Sequence, residues 1–352
     1  MLAKVISVAL AACALVYGAP AVLDKRLSAA GNPVVIDGAG IYIRANRMND
    51  GSIIAGYASG EGSQKVLETA RSTNSGQSWT HLGEVFRADY ATVDLDNAMP
   101  IQLPSGRVLY AYRNHDKSSS GAYTYYRITV SYSDDGGKTF QFLSAVEQRA
   151  ASGVNGLWEP FLRLANDGSL QCYYSSENSA TDQDNLMKRS TDDGATWSSA
   201  TTVSNGKTSR DGMVGVGPIN SGKLIAVFEN TEDGPYSIDY VTSTNDGSSW
   251  GGRTRLYTAR NGQNAGAPQV INVGGTLVVS FMTNEDVAGT NGIDGAQMKV
   301  VTSTNGGSSW SASVVTGQAA SHWPGLFDLD STHFLALYSK DGLGAVSQTY
   351  TL

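Results

Sequence analysis

The sequence predicts an all-β chain, a six-bladed β-propeller with its ring closed by an N-terminal strand. Three observations carry this: an eight-residue turn pattern found five times, a turn-led apolar strand found six times, and a composition rich in turn formers. The turn pattern, S-x-[DN]-x-G-x-[ST]-[WF], begins at Ser72, Ser133, Ser190, Ser243 and Ser303, at intervals of 53 to 61 residues. Self-similarity at that period marks a repeat architecture. Gly accounts for 40 of the 352 residues and Tyr for 17, while only 16% are charged, which suits short strands and tight turns.

Each copy of the pattern has a local physical reading. The Asp or Asn side chain bonds backbone amides further along, Gly takes the left-handed turn position, and the aromatic packs inward. The copies follow strand-like runs such as Y-R-I-T-V-S-Y-S and Y-S-I-D-Y-V-T-S, so they read as hairpin turns. Between them lie apolar runs that start at Gly51, Gly106, Gly168, Gly222, Gly275 and Ser331. Ahead of most of these sits a short strand with proline: Met99-Pro100, Glu159-Pro160, Gly217-Pro218, Ala267-Pro268 and Trp323-Pro324. Each unit therefore holds four strands, the make-up of a propeller blade. The sixth unit reaches its third strand near Gly344 to Thr351, and the segment Asn32 to Asp37 is expected to supply its fourth and so remove an open edge.

Residues 1–18 read as a secretory signal peptide, with Lys4, an apolar run from Val5 to Val16 and small residues around Gly18. Residues 19–26, ending in Lys25-Arg26, read as a pro-peptide, and 27–352 as one propeller domain in a secreted, extracellular protein. The net charge is −7, and −9 once the leader is removed, which argues against nucleic acid and anionic membranes as partners. Cys172 is the one cysteine of the mature chain, so no internal disulfide is expected, and it reads as a small buried strand residue. A monomer is expected.

A propeller is a scaffold, and its chemistry lies where the innermost strands meet. At the residue before proline the blades offer Met99, Glu159, Gly217, Ala267 and Trp323. Seven residues after each second-strand turn they offer Ala58, Arg113, Ser175, Glu229, Met282 and Tyr338. One carboxylate stands out in each set, amid apolar neighbours where a charge needs a reason. A structural ion pair, Glu159 with Arg163, is the plain alternative. Two carboxylates facing one pocket are the minimum equipment of a glycosidase. Trp158, Tyr174, Trp323 and Tyr338 offer flat faces for a sugar, and Arg44, Arg113, Asn114, His115, Arg210 and Asn230 offer polar groups for hydroxyls. Glu159, wedged between Trp158 and Pro160, is expected to be the acid/base, and Glu229, followed by Asn230, the nucleophile. Asp94 and Asp96 lack a full Ca²⁺ ligand set and read as a solvated loop, so neither metal nor cofactor is expected.

The five turn patterns resemble the Asp-box (BNR) repeats of sialidase-like propellers, and I-Y-I-R-A-N-R around Arg44 is similar to the first-arginine strand of sialidases. Blade five shows only G-A-P-Q-V where a sialidase would want an arginine, which counts against sialic acid. With W-E-P-F and F-E-N, the chain looks more like the fungal exo-1,5-α-L-arabinanases of glycoside hydrolase family 93. That resemblance implies a retaining enzyme that releases arabinobiose from arabinan ends. Two alternatives are a sialidase-type enzyme, with Tyr338 as nucleophile, Glu229 as its base and Asp96 as acid, and a propeller that binds sugar without turnover.

Overall fold

The computed structural model describes residues 27–204, 206–220, 222–287 and 295–352; the expected leader lies outside the described residues. Six antiparallel sheets follow one another along the chain, each laid out from an inner to an outer strand. The third, for example, runs Leu157–Leu164, Leu170–Ser179, Asp182–Ser190 and Thr201–Thr202. Among the described residues the one helical element is a 3₁₀ turn at Arg260–Gly262.

The ring closes as the sequence predicts, with an added detail. Gly344–Thr351 is the third strand of the sixth blade, and two short N-terminal strands share its outer edge. Val34–Asp37 pairs with Ser347, Val346 and Ala345, while Ser28–Ala29 pairs with Thr351 and Tyr350. Ser28–Ala29, Val34–Asp37 and Gly344–Thr351 thus satisfy each other's backbone groups.

The five turn motifs sit on the hairpins between third and fourth strands and are built alike. In the third blade, Ser190 Oγ accepts from Gly194 N–H at 2.8 Å and donates to Asp192 at 2.7 Å, and Asp192 also accepts from Thr196 N–H at 2.8 Å. These bonds hold the Asp192 carboxyl down at about 2. The motifs also fasten neighbouring blades. Ser144 donates to Gly194 O at 2.6 Å, Thr69 to Gly137 O at 2.8 Å, and Trp79 Nε1 to Ser347 Oγ at 3.0 Å. The five aromatics pack on apolar clusters within and between the blades. Cys172 is free and buried in one of these clusters, and burial pushes its thiol pKa up.

Candidate active site

Each innermost strand breaks register near its start, and at each break stands a non-glycine residue with positive φ: Tyr42, Asn97, Glu159, Met213, Ala267 and Trp323, all between 45° and 60°. Such backbone is costly for an L-residue and gathers at functional sites. One such residue per blade makes a ring around the axis. The left-handed turn aims several of these N–H groups sideways, toward side-chain acceptors. Tyr42 N–H donates to Ser339 Oγ at 3.0 Å, Ala267 N–H to Glu229 Oε2 at 2.7 Å, and Met213 N–H to the Glu159 carboxylate. Past this ring, the innermost strands line a channel cavity of about 370 Å³.

Glu159 and Glu229 meet at the seam between blades three and four. Burial raises the pKa of both, and Glu229 reaches about 7, lifted further by the charge on Glu159. Glu159 is held back by Ser175, by Arg113 and by Met213 N–H. Ser175 Oγ donates to Asn185 Oδ1 at 3.2 Å, while the buried Asn185 NH₂ has no acceptor. Exchanging the oxygen and nitrogen of the Asn185 amide satisfies both groups: Asn185 then donates to Ser175, and the Ser175 hydroxyl is released to donate to Glu159. Arg163 pairs with Asp246 on the fourth blade, so the plain ion-pair reading of Glu159 is overturned.

Around Glu159 lie buried polar atoms without partners: Arg44 Nη2, Asn97 Oδ1, Arg113 Nε, Trp158 Nε1 and Glu159 Oε2. Buried polar groups are normally paired, so a cluster of orphans is the mark of a site awaiting a polar ligand. Arg44 is buried beside the Tyr42 ring at 4.1 Å, and its Nη1 donates to the carbonyls of Ile43 and Trp323. Arg113 stands 5.3 Å from the Trp158 ring. Asp94 and Asp96 flank Arg113 at 3.2 and 3.7 Å from a strand, Val93–Gln102, and not from a solvated loop. Arg210 bonds Glu177 at 2.7 Å, and its charge draws the Glu229 pKa down.

The structure brings Glu159, Glu229, Arg44, Arg113, Trp158, Arg210 and Trp323 around the ring and leaves five expected residues out of it. His115 is fully buried: Nε2 donates to Leu157 O at 2.7 Å and Nδ1 accepts from Arg127 N–H at 3.1 Å, while burial pushes its pKa down to about 3. It props the strand that carries Glu159 and has no atom left for a sugar. Asn114 turns its amide to Thr129. Tyr174 lies in the core, its hydroxyl on Glu147. Asn230 is buried and uses its amide on Ser237 O and Glu232 N–H, so it does not support Glu229. Tyr338 packs between Met298 and Val346, where it can neither stack on a sugar nor attack one.

The proline alignment is also corrected. Glu159, Ala267 and Trp323 are ring residues, but Met99 and Gly217 are not, and their blades contribute Asn97 and Met213. In the sixth blade, Ser339 faces His322, as Glu229 faces Gly212 and Arg113 faces Asp96.

A family model, the BNR repeat-like domain, matches residues 19–263. The chain belongs to the BNR repeat-like domain family. No curated protein matches it. Among solved structures it is similar to an α-L-arabinanase of Penicillium chrysogenum complexed with arabinobiose, at 20% identity and TM-score 0.70, covering 91% of this chain and 97% of that one. It is similar also to an α-L-arabinofuranosidase of Fusarium graminearum, complexed with an iminosugar inhibitor, at 20% identity and TM-score 0.69, over 90% and 94%. A sialidase of Streptococcus pneumoniae matches at 11% identity and TM-score 0.61, over 89% of this chain and 68% of that one. These likenesses establish a shared fold over nearly the whole described chain.

Within this BNR repeat-like chain, sequence reasoning missed Tyr42, Asn97, Met213 and Tyr236. A constant interval was the available signal. Sixteen residues separate Tyr42 from Ala58, Asn97 from Arg113, Glu159 from Ser175 and Met213 from Glu229. Tyr236 carries no such marker, and it reaches the site from the loop before Ser237–Ser243, where burial and then the charge on Glu229 raise its pKa.

Proposed function

We propose that this chain is a secreted retaining glycoside hydrolase that acts on α-1,5-linked L-arabinan from the chain end and releases arabinobiose. The observation that carries the reading is the pair of enclosed carboxyl groups, Glu159 and Glu229, beside orphaned donors and acceptors fit for sugar hydroxyls. Similarity to the arabinanase and arabinofuranosidase structures supports the choice of sugar.

We assign the two roles opposite to those expected from sequence. Glu229, with a pKa of about 7, keeps its proton until the sugar arrives and is the acid/base. Burial raises Glu159 as well, but the Ser175 hydroxyl, Arg113 and Met213 N–H all oppose that rise and leave a carboxylate three partners to lean on, so we take it as the nucleophile. In the first step the Glu159 carboxylate attacks the anomeric carbon while Glu229 protonates the departing oxygen. In the second, Glu229 takes a proton from water, and that water releases the sugar from Glu159 with net retention.

Incubation with debranched arabinan and product analysis tests the reading. Arabinobiose as first and only product is expected. A ladder of oligomers would remove the chain-end mode, and absence of products would remove the substrate. A sialidase-type reading with Tyr338 finds no support, since that side chain is core, and blade five offers Ala267 and Met282 at the ring where an arginine is needed.

A further inference from the structure

A second cavity, of about 450 Å³, opens where the sixth blade meets the first. With six blades in a ring, that seam lies across the axis from the seam of blades three and four that holds the glutamates. One wall is the N-terminal segment Gly38–Ile41 and the other is the hairpin Ser339–Gly344, so the segments that close the ring also build the cavity. Its floor is His322 and the ring residue Trp323.

The polar groups of this cavity divide into committed and free. Ser339 Oγ accepts from Tyr42 N–H at 3.0 Å, and Lys340 Nζ is bonded to Ala319 O. His322 Nε2 and Asp341 Oδ1 stand 3.2 Å apart, and the Asp341 side chain is 70% exposed, so its second oxygen remains open to a hydroxyl. The Trp323 indole stands next to the Tyr42 ring, with centroids 6.1 Å apart, at the edge shared by cavity and ring site. A half-exposed aromatic face beside a carboxylate and an imidazole is the chemistry that holds a sugar ring, by stacking on one side and hydroxyl bonds on the other. The volume falls within the usual range for small-molecule sites.

We propose that this cavity is a separate sugar subsite, which receives a furanose ring of the substrate remote from the bond being cut. Trp323 stacks on the ring and the His322–Asp341 pair bonds its hydroxyls. This rests on the proposed arabinan reading for the identity of the sugar. The substrate then lies across the propeller axis, with its reacting end at blades three and four and its far end at the seam of blades six and one.

The test fills the cavity without touching the glutamates. Ala39, exposed on its wall, keeps its N–H bond to Asp37 at 2.8 Å when replaced. Titration calorimetry with arabinose, arabinobiose and arabinotriose is run on Glu229→Gln protein, alone and combined with Ala39→Trp or Asp341→Ala. The expected result is that affinity rises with sugar length in the parent, and that each added change lowers arabinotriose affinity by about tenfold or more, with arabinose unaffected. Equal arabinotriose affinity in all three proteins, or no gain with length, overturns the subsite. Hydrolysis of an aryl α-1,5-L-arabinobioside by the native chain is the independent arm. If that substrate is not cleaved while cavity-dependent binding persists, the proposed chemistry fails and the subsite stands.

Discussion

Replacing Glu229 by glutamine removes a charge the fold disfavours and keeps the side chain's size. The folded-state pKa of about 7, against 4.5 for an ordinary glutamate, means that folding disfavours the carboxylate by roughly 3 kcal/mol. That is an upper figure, because the side chain is partly open to the channel. The sign follows from proton binding: between 4.5 and 7 the folded chain holds a proton that the unfolded chain has lost. Native stability therefore falls as pH rises through that window, by up to about 1.4 kcal/mol per unit, and stays lower above it. Glu229→Gln has no such loss and still accepts from Ala267 N–H. Thermal melts should show near-equal Tm for the two proteins at pH 4.5. At pH 8 the variant should melt higher by roughly 4 °C for a domain of this size. The same variant should lose most activity on arabinan, whose leaving group needs a proton. It should also lose the fall in kcat/KM expected of the parent above pH 7, where each unit should cost about tenfold. A variant no more stable than the parent at pH 8 would refute the argument that Glu229 is held against its charge.

Asp192→Ala should lower the melting temperature through lost turn bonds and leave kcat/KM unchanged at a temperature well below the melt; a large loss of turnover without loss of stability would give the turn motifs a catalytic part. Tyr338→Phe should retain activity within about twofold, because this change deletes only a hydroxyl in an apolar cluster; inactivation would restore tyrosine as a nucleophile. Deleting residues 31–40 should lower Tm sharply, since Val34–Asp37 would leave an open edge on the sixth blade; an unchanged melt would show that the ring does not depend on this closure.

The fold was legible because the turn motif is local. Ser190, Asp192, Gly194 and Thr196 satisfy one another within seven residues, so their spacing survives whatever the blades vary elsewhere. The two glutamates were legible because a carboxylate among apolar neighbours is conspicuous. The rest of the ring was obscured by proline, which follows the left-handed residue directly in Glu159-Pro160, Ala267-Pro268 and Trp323-Pro324 but lies further down the strand at Pro100 and Pro218. Tyr338 was placed one residue off. In the last blade the turn closes by Leu329 N–H to His333 O, as Leu103 N–H closes on Arg107 O, so Thr332 and not Ser331 matches Gly106. One residue in a strand exchanges a site-facing side chain for a core one. Asn230 and His115 read as donors because sequence shows a side chain's chemistry but not that a backbone group has already used it.

The central claim, that Glu159 and Glu229 are nucleophile and acid/base of one retaining site, is tested most directly by azide rescue of Glu159→Ala and Glu229→Ala on an activated aryl α-1,5-L-arabinobioside. With the acid/base gone, azide takes the sugar from an intact Glu159 intermediate, so Glu229→Ala should yield the azide with retained configuration. With the nucleophile gone, azide attacks directly, and Glu159→Ala should yield the inverted product. Full activity without azide in either variant would contradict the claim outright, and the opposite stereochemistry would contradict the roles.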